Sequence, residues 1–190
     1  MTRAVRTRAA KTRVRLIAVD GVDAAAVAAA ARTALGGPSR GGISRWDASG
    51  VFQDLAVADR DAGAPSARTL LLLYAADLAF RLRWQIRPAL AEGRIVVAAP
   101  YLATGMAFGR AAGLPSSWVM NLFRFAPRPD ARIVVHRSRD GRRGSKDGFV
   151  GFACEHMAGC ETDRARRTLL DAMAAFLRRY ERAATARVRN

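Results

Sequence analysis

The sequence predicts a three-layer α/β domain built on a mainly parallel sheet. Three observations carry that expectation. Apolar runs without polar alternation recur at residues 14–19, 94–99 and 131–136, as strands buried on both faces require. Stretches with three- and four-residue apolar spacing separate and follow them. The first apolar run stops at Asp20-Gly21-Val22-Asp23 and gives way at once to residues 24–35, which are mostly alanine, the residue of highest helix propensity. Strand, tight turn and helix in that order form the opening unit of a nucleotide-binding α/β domain.

The first helix stops at Gly36-Gly37-Pro38, and a short strand is expected around Ile43 to Trp46 before the turn Asp47-Ala48-Ser49-Gly50. Residues 59–65 read as polar and turn-forming. A long helix starts near Ser66, with Leu70, Leu73, Tyr74, Asp77, Leu78, Arg81 and Leu82 at helical spacing. Pro88 should kink or divide it, and Gly93 should end it. Arg94 to Ala99 is the next strand, closed by Pro100, and residues 101–109 are helical. Ser116 or Ser117 is the expected cap of a helix running through Trp118, Leu122, Phe123 and Phe125. Ala131 to His136 is a strand. Phe149 to Ala153 reads as a last strand. The polar linker before it is too short for a parallel crossover, so this stretch should run antiparallel at an edge or lie outside the sheet. Thr162 or Asp163 caps a final helix whose buried stripe includes Leu169, Met173, Phe176, Leu177 and Tyr180. The expected organisation is a basic tail at 1–13, one domain at 14–185 and a short tail at 186–190.

With 190 residues and 51% hydrophobic side chains, the chain is long and apolar enough for one folded domain. Its formal net charge is +16, and only Lys11 and Lys146 are lysines. Such an excess of arginine favours association with polyanions. The preference for arginine over lysine also fits a GC-rich gene. No apolar run reaches the length of a membrane span, and the first fifteen residues lack the apolar centre of a signal peptide, so a cytoplasmic protein is expected. Two cysteines form no disulfide framework. Cys154, Glu155, His156 and Cys160 are the one metal-like cluster, but their spacing matches no zinc pattern, so no metal is assigned.

Four stretches resemble thymidylate kinase, a nucleoside monophosphate kinase of the P-loop NTPase-like fold. Leu16 to Asp23 is similar to the family's opening strand and E-G-x-D-G turn. Leu72-Tyr74-Ala75-Ala76-Asp77, with Ile86-Arg87-Pro88-Ala89-Leu90-Ala91-Glu92-Gly93, is similar to its F-A-A-D-R helix and I-x-P-A-L-x-x-G ending. Ile95 to Tyr101, with Ala103-Thr104 and Ala107-Phe108, resembles the strand, the D-R-Y motif and the helix after it. Phe125-Ala126 with Arg128-Pro129-Asp130 resembles the approach to the fourth strand.

The departures fall where the resemblance implies function. The phosphate loop G-x-x-x-x-G-K-[ST] would start at Gly21 and put glycine, lysine and hydroxyl at Ala26, Val27 and Ala28. In the family the lysine neutralises phosphate and the hydroxyl helps hold magnesium. The D-R pair before Tyr101 is replaced by Ala99-Pro100, the F-A-A-D-R arginine by Leu78, and the lid is missing. The nucleotide or phosphate candidates that remain are Gly21, Asp23, the backbone of Ala26, Val27 and Ala28, and Arg45, Tyr74 and Tyr101. Arg139, Arg142 and Arg143, in the basic loop, join them. Asp23 and Arg45 are the catalytic remnants, although Asp23 also reads simply as a helix cap and the two tyrosines as core.

The resemblance therefore implies a thymidylate-kinase-like pseudoenzyme with a degenerate phosphate loop, acting by binding or as a scaffold. ATP and Mg would be cofactors only if activity were kept. One alternative is a divergent dTMP kinase, converting ATP and dTMP to ADP and dTDP, that uses the arginines of residues 137–146. Another is a nucleic-acid-binding protein that uses the basic tail and the same loop. The expected partners are a second copy, paired through the long helix as in the family, or another protein. Nucleotide and non-specific nucleic acid are further candidates, and no membrane is expected.

Overall fold

The computed structural model describes residues 15–136 and 148–186. The tails at 1–13 and 187–190 and the basic loop with Arg139, Arg142 and Arg143 lie outside the described residues. Four strands, β1 (Leu16–Gly21), β2 (Gly41–Arg45), β3 (Ile95–Ala99) and β4 (Ala131–Val135), form one sheet in the order β2-β3-β1-β4. All three pairings are parallel, with Leu16 opposite Val96, Ile17 opposite Ala131 and Gly41 opposite Ile95. Asp130 fixes the β1–β4 register at its start. Its carboxylate accepts from the amides of Arg15 and Leu16, each at 2.9 Å, and these bonds hold its pKa below the ordinary value.

Alternate residues of the central strands feed two cores. Val19, Val97 and Ala99 pack with Val27, Ala31 and Leu35 of α1 (Ala24–Leu35) on one face. Leu16, Ala18, Val96 and Ala98 pack on the other face, against α3 (Ala67–Arg81), α5 (Leu102–Ala111) and α8 (Asp163–Ala186). The layers are thus α1, the sheet, and a thicker helical layer.

The long helix follows its sequence signals. The Ser66 hydroxyl accepts from the Thr69 amide at 3.1 Å and caps α3. Residues Leu82–Ile86 form a π-helical turn, and the backbone stays right-handed helical into α4 (Arg87–Ala91), so the helix passes Pro88 by a local widening just before it. Gly93, at φ 78°, ends the element.

Three expectations need correction. Phe149 to Ala153 is helical rather than a strand, so of the two expected placements it takes the one outside the sheet. It opens α7 (Phe149–His156), and the described sheet contains no antiparallel strand. Phe149, Phe152 and Ala153 are buried at positions i, i+3 and i+4, a helical spacing that five apolar residues cannot distinguish from a strand. The stretch expected as a turn from residue 59 belongs instead to α2 (Val51–Ala62). Its start is held from a distance, because the Asp47 carboxylate accepts from the amides of Phe52 at 3.0 Å and Gln53 at 3.1 Å. Finally, α6 (Ser116–Leu122) stops before Phe123 and Phe125, and Pro115 rather than a serine stands at its cap.

Candidate functional site

The resemblance directs attention to the turn between β1 and α1. Only Val22 and Asp23 separate the two elements. The Asp23 carboxylate accepts from the Ala26 amide at 2.9 Å, and the Asp23 carbonyl accepts from the Val27 amide at 2.9 Å. The first turn of α1 is therefore already capped by an acid of the chain itself. An arriving phosphate would have to displace that carboxylate, so the usual anion-binding property of a helix start is spent internally.

Val27, at the lysine position, is buried in the core between α1 and the sheet. A Cβ at Gly21 would lie 2.9 Å from Val27 Cγ2 and 2.9 Å from the Val135 carbonyl oxygen, so the strand end, the helix and β4 touch directly. No open loop remains between Gly21 and Ala28. Ala28 has no hydroxyl to offer a metal. These residues do not fit Mg·ATP.

Among the described residues, α7 packs on the start of α1. At the head of α7, a Cβ on Gly148 would stand 2.6 Å from Ala24 Cβ, which places α7 directly against the first residue of α1. Phe149 then enters an aromatic cluster, with ring centroids 4.5 Å from Tyr74, 4.9 Å from Phe108 and 5.8 Å from Phe52. Phe152 continues the cluster to Phe52 and Trp46 at 5.2 and 6.0 Å. Tyr74 and Tyr101 are both fully buried within this packing. The Tyr74 hydroxyl donates to the Tyr101 carbonyl, and the Tyr101 hydroxyl donates to the Pro127 carbonyl at 2.8 Å. Burial pushes both phenols above their ordinary range. Among the described residues, both tyrosines are core side chains with engaged hydroxyls.

Gly148→Ala is accordingly expected to cost about 1–3 kcal/mol by overpacking. Adding Ala24→Gly should recover much of that loss. Urea unfolding of the two single variants and the double variant checks the contact, because independent, additive effects would contradict it.

Two buried acids organise the strand ends. Asp20 Oδ1 accepts from the amides of Tyr101 and Thr104, each at 2.9 Å, and so holds the first turn of α5. Burial raises the Asp20 pKa against the pull of these bonds. Asp77 and Arg81 form an ion pair with no exposed side-chain surface, Nε to Oδ2 at 3.0 Å. The pair meets the distance for an ion pair, but the Nε–H is not aligned for a hydrogen bond, and Nη2 has no hydrogen-bond partner. Asp77 also accepts from the amides of Asp47 and Ser49 and from the Ser49 hydroxyl. Arg81 Nη1 donates to the Pro100 carbonyl at 2.9 Å. These groups tie the loop after β2 and the end of β3 to α3, and they are engaged in that task. Sequence reading placed Asp20, Thr104 and Arg81 in their elements and motifs but gave them no role at the site. The i, i+4 Asp77/Arg81 pair inside an apolar helix was a readable signal for one of them.

Arg45 stands apart from this packing. It is exposed on the rim of a groove of about 390 Å³ beside edge strand β2, lined also by Ser44, Trp46, Gln85 and Arg94. Ser44 and Gln85 satisfy each other there at 2.8 Å. Among the described residues, no three His, Cys, Asp or Glu side chains converge as a metal site. Cys154 and Cys160 are free thiols, and burial pushes the Cys154 thiol up to about 11. The His156 ring stacks on Phe152 at 4.3 Å.

No family model matches the chain. It is 42% identical over 64 residues to the probable thymidylate kinase of Pyrococcus abyssi, covering 34% of this chain and 31% of that protein. The probable thymidylate kinase of Pyrococcus horikoshii gives 41% over the same length and the same shares. That of Caldivirga maquilingensis gives 31% over 86 residues, 42% of each chain. The crystal structure of thymidylate kinase from Ehrlichia chaffeensis superposes with a TM-score of 0.59 over 87% of each chain at 13% identity. The chain is thus similar to thymidylate kinases over part of its length and shares their fold. It spans about a third of the length of the Pyrococcus relatives it matches, while the likeness to the Ehrlichia thymidylate kinase covers the fold as a whole. At its β1–α1 turn, Val27 is buried and Ala28 has no hydroxyl, at the positions where the resemblance expects a lysine and a hydroxyl.

Proposed function

We propose that this thymidylate kinase relative is a binding protein that does not transfer phosphoryl groups. Phosphoryl transfer rests on positioning and on charge stabilisation at the phosphates. The carrying observation is that α1 begins at Ala24, three residues before the lysine position, with Val27 in the core and Gly148 seated on Ala24. Cation, hydroxyl and open loop are replaced together, so no single retained side chain substitutes for them.

The test is incubation of the full chain with ATP, Mg²⁺ and dTMP. The expected result is no dTDP above a protein-free control. Turnover at about 1–100 per second, the range ordinary for kinases, would overturn the reading.

A further inference from the structure

Helix α8 has two unlike faces. Leu169, Met173 and Leu177 are buried, and Phe176 and Tyr180 pack beside them. On the opposite face Arg164, Arg167, Asp171, Ala175, Arg178 and Arg182 recur at three and four residues, so they share one side of the helix. The four arginines are exposed, and so is Arg179 next to them. Among the described residues, no carboxylate lies within ion-pair distance of any of the five. The acids of this region are few. Asp171 is exposed in the middle of the face, Glu161 and Asp163 are exposed at the helix start, and the Glu181 carboxylate meets His136 at 2.8 Å.

The chemistry of the face selects its partner. None of the exposed large apolar side chains among the described residues belongs to α8. A helix seated in a membrane interface needs such side chains, and so does a protein interface with a central anchor. Phosphate contacts need only the guanidinium fork. Stacking on a single strand would need exposed aromatic rings, but Phe176 and Tyr180 stack on each other toward the packed side.

We propose that the outer face of α8 binds the phosphate backbone of duplex DNA without reading its sequence. Arg167 and Arg178 lie about 16 Å apart along the helix axis. The major groove of B-form DNA opens about 12 Å, so arginines at that spacing reach the phosphate rows on its two sides. Between them stand the short side chains of Thr168, Asp171 and Ala175, which face the open groove and keep the one central acid off the phosphates. The major groove of A-form RNA is narrow and deep and does not fit that span. Helix α8 has no Asn or Gln to offer a base edge, so its contacts position the duplex without specifying a sequence.

This inference rests on reading the chain as a binding protein and names the partner. Its test involves no nucleotide turnover, so kinase activity would defeat that reading and leave DNA binding to be decided by its own measurement. A labelled DNA duplex of about two helical turns is titrated with the full chain and followed by anisotropy. Saturable binding is expected, with a Kd of about 1–100 µM at about 0.1 M salt, equal for two unrelated sequences. Arg178→Ala with Arg182→Ala should weaken it at least about tenfold and reduce the slope of log affinity against log salt by about 2.

Arg40→Ala with Arg94→Ala removes the same charge at the β2 edge of the sheet, away from β4 and the α8 side chains that meet it. This control should change the affinity less than about twofold, because charges outside the contact release no counterions. Both double variants should keep the far-UV circular dichroism and Tm of the original chain, because all four side chains are exposed. No binding at about 0.05 M salt, or an equal loss in the two double variants, overturns the proposal. Tighter binding of single-stranded DNA or duplex RNA overturns it too. So does competition by poly-glutamate as effective per charge as that of unlabelled duplex, which would assign the face to an acidic protein.

Discussion

Asp77→Asn is expected to destabilise the fold by about 3–5 kcal/mol, the cost of leaving a buried charge without its partner. The substitution keeps the side-chain shape but strands the Arg81 guanidinium, which has no exposed surface and whose one firm remaining acceptor is the Pro100 carbonyl. It also sets an amide NH₂ against the donors of Asp47 and Ser49. Replacing both partners, as in Asp77→Asn with Arg81→Met, should be less damaging than Asp77→Asn alone, because no unpaired charge then remains buried. Urea midpoints of the two single variants and the double variant measure this. A loss below about 1 kcal/mol for Asp77→Asn, the level of an exposed pair, would contradict the burial.

Val27→Lys, with Ala28→Ser to complete the family's lysine and hydroxyl, is expected to destabilise the protein without restoring turnover. The side chain at position 27 points into the apolar layer between α1 and the sheet. An ammonium forced there has its pKa lowered by about 3 units or more, which corresponds to roughly 4 kcal/mol. The sign follows from linkage. The unfolded chain binds the extra proton more tightly than the folded one, so stability is lowest below the depressed folded pKa and rises with pH toward the unfolded value near 10. Val27→Met is the control: it adds bulk without charge, so it should cost about 1–3 kcal/mol by overpacking and add no pH dependence. A Val27→Lys protein as stable as the original at pH 7 would show that the side chain reaches solvent and that the turn is open.

Much of the fold was legible because it rests on local signals. Unbroken apolar runs marked β1, β3 and β4. The Ser66 cap, Pro88 and Gly93 marked the start, break and end of the long helix. The elements that were missed depend on partners distant in sequence or on too few residues. The cap of α2 comes from Asp47, outside the helix it serves. Phe149 to Ala153 is too short for its period to be read. That Val27 and Ala28 stand where the resemblance expects a lysine and a hydroxyl was plain from the sequence. The packing of α7 was not, because it depends on Gly148 meeting Ala24, more than a hundred residues away, and on Phe149 packing against Tyr74 and Phe108. Likewise, the tyrosines that read equally as cleft or core became core only once α7 was in place.

The central claim is that no nucleotide site remains at the head of α1. It is tested most directly by thermal unfolding of the full chain with Mg·ATP and dTMP, singly and together. About 0.3 M salt screens loose attraction to the +16 chain. A ligand present at about 100 times its Kd adds about 2.7 kcal/mol of stability, which for a chain of this size raises Tm by several degrees. The account predicts no shift with any of these ligands. A saturable rise in Tm with Mg·ATP, lost when Gly21 is replaced by a residue that still folds, would contradict it.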